Sequence, residues 1–133
     1  MGQTPYRLIS AAVEQGVLVL TITEPRIQGL DVGEALRAEM LTALADYGAT
    51  KVVVDFQHAE YISSTAFWPL LSMRRALQET GGRVILCGLS KAIGDVFFTT
   101  HMIADSGSAA PLFEMEPTVA EAVARLNLPA PAT

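Results

Sequence analysis

Residues 51–69 have the sequence KVVVDFQHAEYISSTAFWP, in which an apolar run is followed by a hydroxyl-rich turn and the start of an apolar, helix-like segment. The continuous apolar run at residues 52–54 is typical of a central strand that is covered on both faces. A helix is predicted from about residue 64 to residue 79, because two glycines, Gly81 and Gly82, follow it. Residues 83–89, RVILCGL, repeat the buried-strand pattern. This order predicts two parallel strands joined by a crossover helix.

The N-terminal part of the chain is predicted to form a hairpin and a helix. Residues 6–13 and 17–23 are apolar, β-branched runs, and the sequence Glu14-Gln15-Gly16 between them favours a hairpin turn. Asp31 is a suitable N-cap for the helix that follows, and Gly48 is a suitable end. The apolar residues of this helix recur at helical spacing: Val32, Leu36, Met40, Ala43 and Tyr47.

The C-terminal part continues the alternation of helices and strands. Ser90 is predicted to cap a third helix that runs to about Thr100, and a loop at residues 105–111 leads to a short strand at residues 112–115. Thr118 and Glu121 form a T-x-x-E capping box for a last helix that ends at about Leu126.

These elements define the predicted fold class. It is α/β, with a single-layer mixed, mostly parallel β-sheet of four to five strands and about four α-helices. Residues 1–127 are expected to form one domain, because a chain of 133 residues buries enough surface for a single core. Residues 128–133, with the sequence LPAPAT, are expected to form a flexible tail.

The composition excludes several classes of protein. Half of the residues are hydrophobic and only 17% are charged, which is too apolar for a disordered regulator. No apolar run reaches the roughly 20 residues of a membrane helix, and residues 1–7 lack the pattern of a secretion signal, so we expect a cytoplasmic protein without membrane insertion. The net charge of −5, without a Lys/Arg cluster, argues against direct nucleic-acid binding. Cys87, the single cysteine, is expected to be buried and unpaired.

The sequence offers no set of residues typical of a catalytic or cofactor site. His58 and His101 are the only histidines, and neither occurs in a metal-binding motif. No glycine-rich dinucleotide or phosphate loop follows a predicted strand, so no cofactor is expected. Asp55, at the end of a predicted strand, is interpreted as a local hydrogen-bonding residue in preference to a general base. The protein is therefore not expected to be an enzyme.

Three consecutive hydroxyl residues, Ser63, Ser64 and Thr65, stand between the predicted strand and helix. One of them could cap the helix by accepting hydrogen bonds from its first N–H groups. The same position also favours negative charge, so a phosphoryl group could be held there. Capping and phosphorylation are compatible, and the residues alone leave both interpretations open.

The predicted second helix has two different faces. Its packing stripe consists of Ala66, Leu70, Met73 and Leu77, with Phe67 and Leu71 beside it. The opposite line consists of Trp68, Ser72, Arg75 and Glu79. Because Trp and Arg are enriched at binding hot spots, Trp68, Ser72 and Arg75 are candidate partner-binding residues. The alternative is that Trp68 packs against a neighbouring loop. Pro69 indicates a helix that is distorted at its start or begins near Ala66.

The middle of the chain resembles the STAS domain family of bacterial anti-sigma factor antagonists and stressosome subunits. That family has an apolar strand ending in Asp, an aromatic-x-Asp-Ser-Ser/Thr-Gly turn opening a helix, a Gly-Gly boundary, a second apolar strand and a helix containing Phe. The corresponding segments here are VVVDF at 52–56, YISSTA at 61–66, GGRVILCGL at 81–89 and residues 91–98. The chain departs from the pattern at Ser63, where the family has Asp, and at Ala66, where it has Gly. Residues 24–31, EPRIQGLD, also differ from the family's Gly-Glu-Leu-Asp-like stretch.

The resemblance implies the STAS fold and a function in partner switching. In this scheme the dephosphorylated antagonist binds an anti-sigma factor that is also a Ser/Thr kinase of histidine-kinase-like fold, phosphorylation breaks the complex, and a cognate phosphatase acts on the antagonist. The acceptor position carries over to Ser64, with Thr65 as second choice and Ser63 as third. Two other functions stay open: a non-catalytic STAS subunit of a lipid-transport ABC system, and a STAS sensor that binds a small molecule or nucleotide. A homodimer is compatible with each.

Overall fold

A five-stranded sheet forms the centre of the computed structural model, which describes residues 6–63, 66–99 and 113–128. Its strands are β1 (Ile9–Glu14), β2 (Val17–Ile22), β4 (Lys51–Asp55), β6 (Arg83–Cys87) and β7 (Glu114–Glu116). They lie in the order β1-β2-β4-β6-β7, where β1 and β2 are antiparallel and the other neighbouring pairs are parallel. The predicted mixed, mostly parallel sheet is confirmed.

The hairpin between β1 and β2 has the predicted turn. Gln15 and Gly16 both have positive φ angles, of 53° and 79°. Two such residues match the twist of a two-residue hairpin, which explains the glycine at the second position.

Three helices cover one face of the sheet: α1 (Leu30–Tyr47), α2 (Phe67–Glu79) and α3 (Lys91–Thr99). The core on this face contains alternate residues of the central strands, such as Val52, Val54 and Leu86, together with the apolar stripes of the helices. On α2 the predicted stripe is confirmed, because Leu70, Met73 and Leu77 are at most 2% exposed.

In the part of the chain that the structure describes, the helix on the opposite face is α4 (Val119–Leu126). Its residues Ala122, Val123 and Leu126 pack on the remaining alternate residues of the strands. These strand residues are Val17, Val19, Val53, Ile85 and Cys87. The central strands are therefore buried on both faces, as their continuous apolar runs predict.

A second, two-stranded sheet was not predicted. It pairs β3 (Arg26–Ile27) with β5 (Tyr61–Ile62) in parallel. The guanidinium of Arg26 lies 4.8 Å from the centroid of the Tyr61 ring, which is a cation–π distance. Strands of two residues carry too little periodicity to be recognised in a sequence.

The prediction that Asp31 caps α1 is wrong. The helix begins at Leu30, and Gly29, with φ 87°, occupies the N-cap position. Glycine adopts this positive φ without a steric penalty, so the chain enters the helix two residues earlier than the side-chain pattern suggests. Asp31 lies in the first turn, where its charge interacts favourably with the helix dipole. At the other end Gly48 has the predicted left-handed conformation.

The helix α2 begins later than residue 64 and confirms the start near Ala66 that Pro69 indicated. Ala66 occupies its N-cap position and its first residue is Phe67, so no hydroxyl residue takes the N-cap position. Pro69 is the third helical residue and lies in the first turn. Backbone N–H groups of the first turn have no partner within the helix, so the N–H that proline lacks costs no helical hydrogen bond.

The other helix starts agree with the sequence. Ser90 Oγ accepts a hydrogen bond from Ile93 N at 3.2 Å at the start of α3, and Thr118 Oγ1 accepts one from Glu121 N at 3.2 Å at the start of α4. The short strand predicted at residues 112–115 is β7, which lies slightly later, at Glu114–Glu116. Part of that prediction and the predicted loop at 105–111 lie outside the described residues.

Candidate protein-binding surface

Ser63, the first of the three hydroxyl residues, directly follows β5 and lies beside the two-stranded sheet. Ser63 N donates a hydrogen bond to Ile27 O at 2.9 Å, and Ser63 O accepts one from Ala66 N at 3.0 Å. These bonds attach the first residue of the cluster to β3 and to the beginning of α2. Ser64 and Thr65, the two preferred acceptor candidates, lie outside the described residues.

Trp68 lies on the surface one residue after the beginning of α2. Its side chain is 56% exposed, whereas its neighbours Phe67 and Pro69 are buried. The Phe67 ring packs on Phe97 of α3, with 5.1 Å between the ring centroids. The buried neighbours fix the helix start, so the exposed indole is held on a rigid element.

Arg37 of α1 connects the predicted partner-binding residues to the neighbouring helix. Its Nε donates a hydrogen bond to Ser72 Oγ at 3.1 Å, and its guanidinium carbon lies 5.3 Å from the centroid of the Trp68 ring. A third contact joins Arg37 Nη1 to Glu34 Oε2 at 3.4 Å. Arg37 thereby holds Trp68 and Ser72 against α1. Arg75, the third predicted binding residue, is exposed one turn further along α2.

Trp68 lines two cavities. One, of about 450 Å³, is lined by Leu30, Asp31, Gly33, Glu34 and Trp68. The other, of about 330 Å³, is lined by Arg37, Leu41, Trp68, Leu71, Ser72, Arg75, Ala76 and Glu79. Leu30 is 80% exposed, which is unusual for a leucine in a folded domain. Exposed apolar side chains with charged neighbours are typical of a protein-binding surface.

Arg37 and Leu30 were not singled out from the sequence. Arg37 directly follows Leu36 of the apolar stripe of α1, so it could be expected at the edge of that stripe. Its contact with Ser72 joins residues 35 positions apart, and no local pattern gives the partner of such a contact.

Asp55 is the one charged side chain that is fully buried among the described residues, at 2% exposure. It accepts hydrogen bonds from the backbone N and the side-chain amide of Gln57. Burial raises the pKa of the adjacent Cys87 thiol to about 12, and the charge and hydrogen bond of Asp55 add to the effect. Asp55 thus has the local hydrogen-bonding role that the sequence predicts, and the thiol stays protonated at neutral pH.

Residues 6–63, 66–99 and 113–128 contain neither a candidate metal site nor a candidate membrane-spanning helix. No group of three or more His, Cys, Asp or Glu residues is arranged to hold a metal ion in that part of the chain. Within the same ranges, no helix combines the length and the apolar character needed to span a membrane.

The sequence model of the STAS domain family matches residues 9–122. This match covers most of the chain, and the sheet with its helices on two faces agrees with it. The chain belongs to the STAS domain family.

Individual relatives of this family include proteins described as anti-sigma factor antagonists. One of them is BtrV of Bordetella bronchiseptica, which is 36% identical to this chain over 64 residues. The match covers 48% of this chain and 54% of BtrV. The matched region thus spans about half the length of this curated relative.

Two solved structures show the same fold. A Thermotoga maritima protein, described as an anti-sigma factor antagonist, has a TM-score of 0.75 at 13% identity, and the match covers 90% of this chain and 95% of that one. SpoIIAA of Bacillus in its phosphorylated form has a TM-score of 0.63 at 22% identity, with 90% and 99% coverage.

Proposed function

We propose that this chain is an anti-sigma factor antagonist that acts by phosphorylation-controlled partner switching in the cytoplasm. It binds an anti-sigma factor of histidine-kinase-like fold, which also phosphorylates it, and a cognate phosphatase restores binding. The chain contributes no catalytic groups of its own. The proposal depends most on one observation: in a STAS domain, the exposed Trp68 lies on a rigid helix start directly after the hydroxyl-rich turn.

Relatives support this proposal. BtrV is described as an anti-sigma factor antagonist, and SpoIIAA, which has the same fold, has been solved in a phosphorylated form. The acceptor of this chain is proposed to be Ser64, with Thr65 as second choice and Ser63 as third. Ser63 ranks last because it stands where the family has Asp.

Electrostatics provide the switch. A phosphoryl group adds about −1.5 to −2 charges, and a contact that must lose its water when the partner binds is weakened by such a charge. The start of α2 can tolerate the charge locally because its first N–H groups lack helical partners. Trp68, a few residues later, belongs to the surface that the partner would cover.

The first experiment identifies the partner. The purified chain is used to capture proteins from its own cell extract, and mass spectrometry identifies what is bound. A histidine-kinase-like anti-sigma factor is expected. Capture of an ABC ATPase would instead favour the lipid-transport function, and a bound small molecule or nucleotide would favour the sensor function. Either result without an anti-sigma factor contradicts the proposal.

The second experiment tests the switch with the captured kinase and ATP. Phosphate is expected on Ser64 or Thr65, and Ser64→Asp is expected to weaken binding at least tenfold, or about 1.4 kcal/mol, with the fold intact. Thr65→Glu is the corresponding variant if threonine is the acceptor. Ser64→Ala and Thr65→Ala serve as controls that should bind constitutively. Phosphate only outside residues 63–65, or none with an active kinase, would show that the switch is absent.

A further inference from the structure

The cavities at Trp68 are part of a longer groove between α1 and α2, which we name the α1–α2 groove. A third cavity, of about 310 Å³, continues it toward the C-terminal ends of both helices. It shares Leu41 and Ala76 with the cavity next to it, as that cavity shares Trp68 with the first. The row of cavities therefore follows most of the length of α2, whose 13 residues span about 20 Å.

The floor of the groove is apolar. Leu41, Leu71 and Ala76 are partly buried and form its middle, while Leu30 and Trp68, 80% and 56% exposed, stand at one end. An apolar groove of this length between two helices matches the apolar stripe of an amphipathic helix, which presents a residue every three or four positions.

Acidic side chains lie at one end of the groove, and a basic side chain lies further along it. Asp31 and Glu34 line the cavity at the N-terminal ends of the helices, and Glu34 is paired with Arg37, which lines the next cavity. Arg75 lines the next cavity, seven residues or about 10 Å beyond Trp68, and Glu79 follows one turn later. Within the described ranges neither Asp31 nor Arg75 has a salt bridge, so both charges are available to a partner.

We propose that the α1–α2 groove binds one amphipathic helix of the partner protein. A basic residue of that helix lies over Asp31, and an acidic residue about two turns away lies over Arg75. Opposite charges at these positions set the register and direction of the helix, and like charges would oppose binding. The proposal rests on the proposed function, because the occupant is a segment of the anti-sigma factor.

The test uses the fluorescence of Trp68, which is the single tryptophan of the chain. The captured anti-sigma factor is titrated into the wild-type chain, and a change in the emission of Trp68 is expected because the partner covers the indole. Asp31→Lys and Arg75→Glu are each expected to weaken binding about tenfold or more. Asp31→Asn, which keeps the size of the side chain, should produce a smaller loss in the same direction.

Glu14→Lys is the matched control. Glu14 is exposed at the turn between β1 and β2, outside the groove, and the change alters the net charge of the chain as Asp31→Lys does. Its affinity should equal that of the wild type. Thermal melting of every variant separates loss of binding from loss of folding, and a variant that melts early is replaced by its neutral form, Asp31→Asn or Arg75→Gln.

The outcomes separate this proposal from the proposed function. If the wild type binds no anti-sigma factor, both are wrong. If the wild type binds and both charge reversals bind equally well, or Trp68 emission does not change, the groove is not the docking site and only this proposal is wrong. If the wild type sediments as a dimer that both reversals dissociate, the groove holds a second copy of the chain and the proposal is overturned.

Discussion

At the scale of single residues, Phe67 and Trp68 are neighbours with opposite environments. Phe67 is 7% exposed and packs on Phe97, whereas Trp68 is 56% exposed and lies beside Arg37 of the adjacent helix. The difference follows from the helical geometry, which turns consecutive side chains by about 100°. Because the two environments differ, substitutions of Phe67 and Trp68 can separate a contribution to folding from a contribution to binding.

Trp68→Ala is expected to weaken partner binding by about 2 kcal/mol or more and to leave the free energy of unfolding nearly unchanged. Phe67→Ala is the matched control and should destabilise the fold by about 3 kcal/mol or more, because it leaves a cavity in the core. Denaturant titration and the affinity for the captured partner check both. A Trp68→Ala variant that unfolds at much lower denaturant and binds normally would show a structural role.

Gly88 occupies a position where any side chain would be unfavourable. A Cβ atom there would lie 2.5 Å from Asp55 Oδ1 and 3.0 Å from Gln57 N, and the φ angle of Gly88 is +70°. A side chain would therefore meet both backbone strain and a clash with the buried carboxylate.

We expect Gly88→Ala to destabilise the fold by about 2 kcal/mol more than Gly16→Ala. Gly16 has a similar φ of +79° but no atom within 4 Å of the added Cβ, so its substitution measures the backbone strain alone, about 1 kcal/mol. Chemical denaturation of the two variants gives the difference. Equal losses would mean that the carboxylate moves aside without cost.

At the scale of elements, an ion network attaches the edge strand β7 to its neighbours. Arg83 of β6 makes two hydrogen bonds to Glu114, at 2.7 and 2.6 Å, and Arg125 of α4 contacts Glu114 at 3.1 Å and Glu116 at 2.7 Å. The hydrogen bonds from Arg83 lower the pKa of Glu114 and outweigh its partial burial, which acts in the opposite direction.

Glu114→Gln is expected to lower the free energy of unfolding by about 1 kcal/mol at neutral pH, because the pairs are partly exposed. Because the pKa of Glu114 is lower in the folded state than in the unfolded state, its ionised form stabilises the fold at pH values above the unfolded-state pKa of about 4.3. This stabilisation is lost as the pH falls through the folded-state pKa. The difference between variant and wild type should therefore shrink below about pH 4 in denaturation series.

Asp95→Asn is the control for that series. Asp95 pairs with Lys91 at 3.2 Å, but the two side chains are 63% and 91% exposed, so little change is expected at any pH. A Glu114→Gln loss that stays constant down to pH 2 would show that charge is not the source of its stabilisation.

At the scale of the whole molecule, the sheet has a fully buried centre and less protected edges. Val52, Val53 and Val54 of β4 and Ile85 and Leu86 of β6 are 0% exposed, because helices cover both faces. In the edge strands β1 and β7, by contrast, several residues are exposed.

Hydrogen exchange should reflect this difference. Amides of β4 and β6 are expected to exchange only through global unfolding, whereas those of β1 and β7 should exchange through smaller, local openings. Exchange rates measured by NMR as a function of low denaturant separate the two classes. Equal protection of β7 and β4 would indicate that the edge opens only with the whole domain.

Local patterns in the sequence determined most of the fold. The order of the elements and the mixed sheet could be predicted from three kinds of local pattern. These are the continuous apolar runs in β4 and β6, the helical spacing in α1 and α2, and the glycines Gly16 and Gly48. Each pattern lies within one element or turn, so it depends only on neighbours along the chain. The same patterns gave the exposed position of Trp68. The STAS family followed from the resemblance at residues 52–56, 61–66, 81–89 and 91–98.

Only the tertiary structure decided which distant side chains meet. The contacts of Arg37 with Trp68 and Ser72, the pairing of β3 with β5 and the attachment of Glu114 to Arg83 join residues roughly 30 or more positions apart. Such contacts depend on how the packed elements are placed, and periodicity carries no information about that placement. The α1–α2 groove exists for the same reason: it belongs to neither helix alone and forms only when both pack on the sheet.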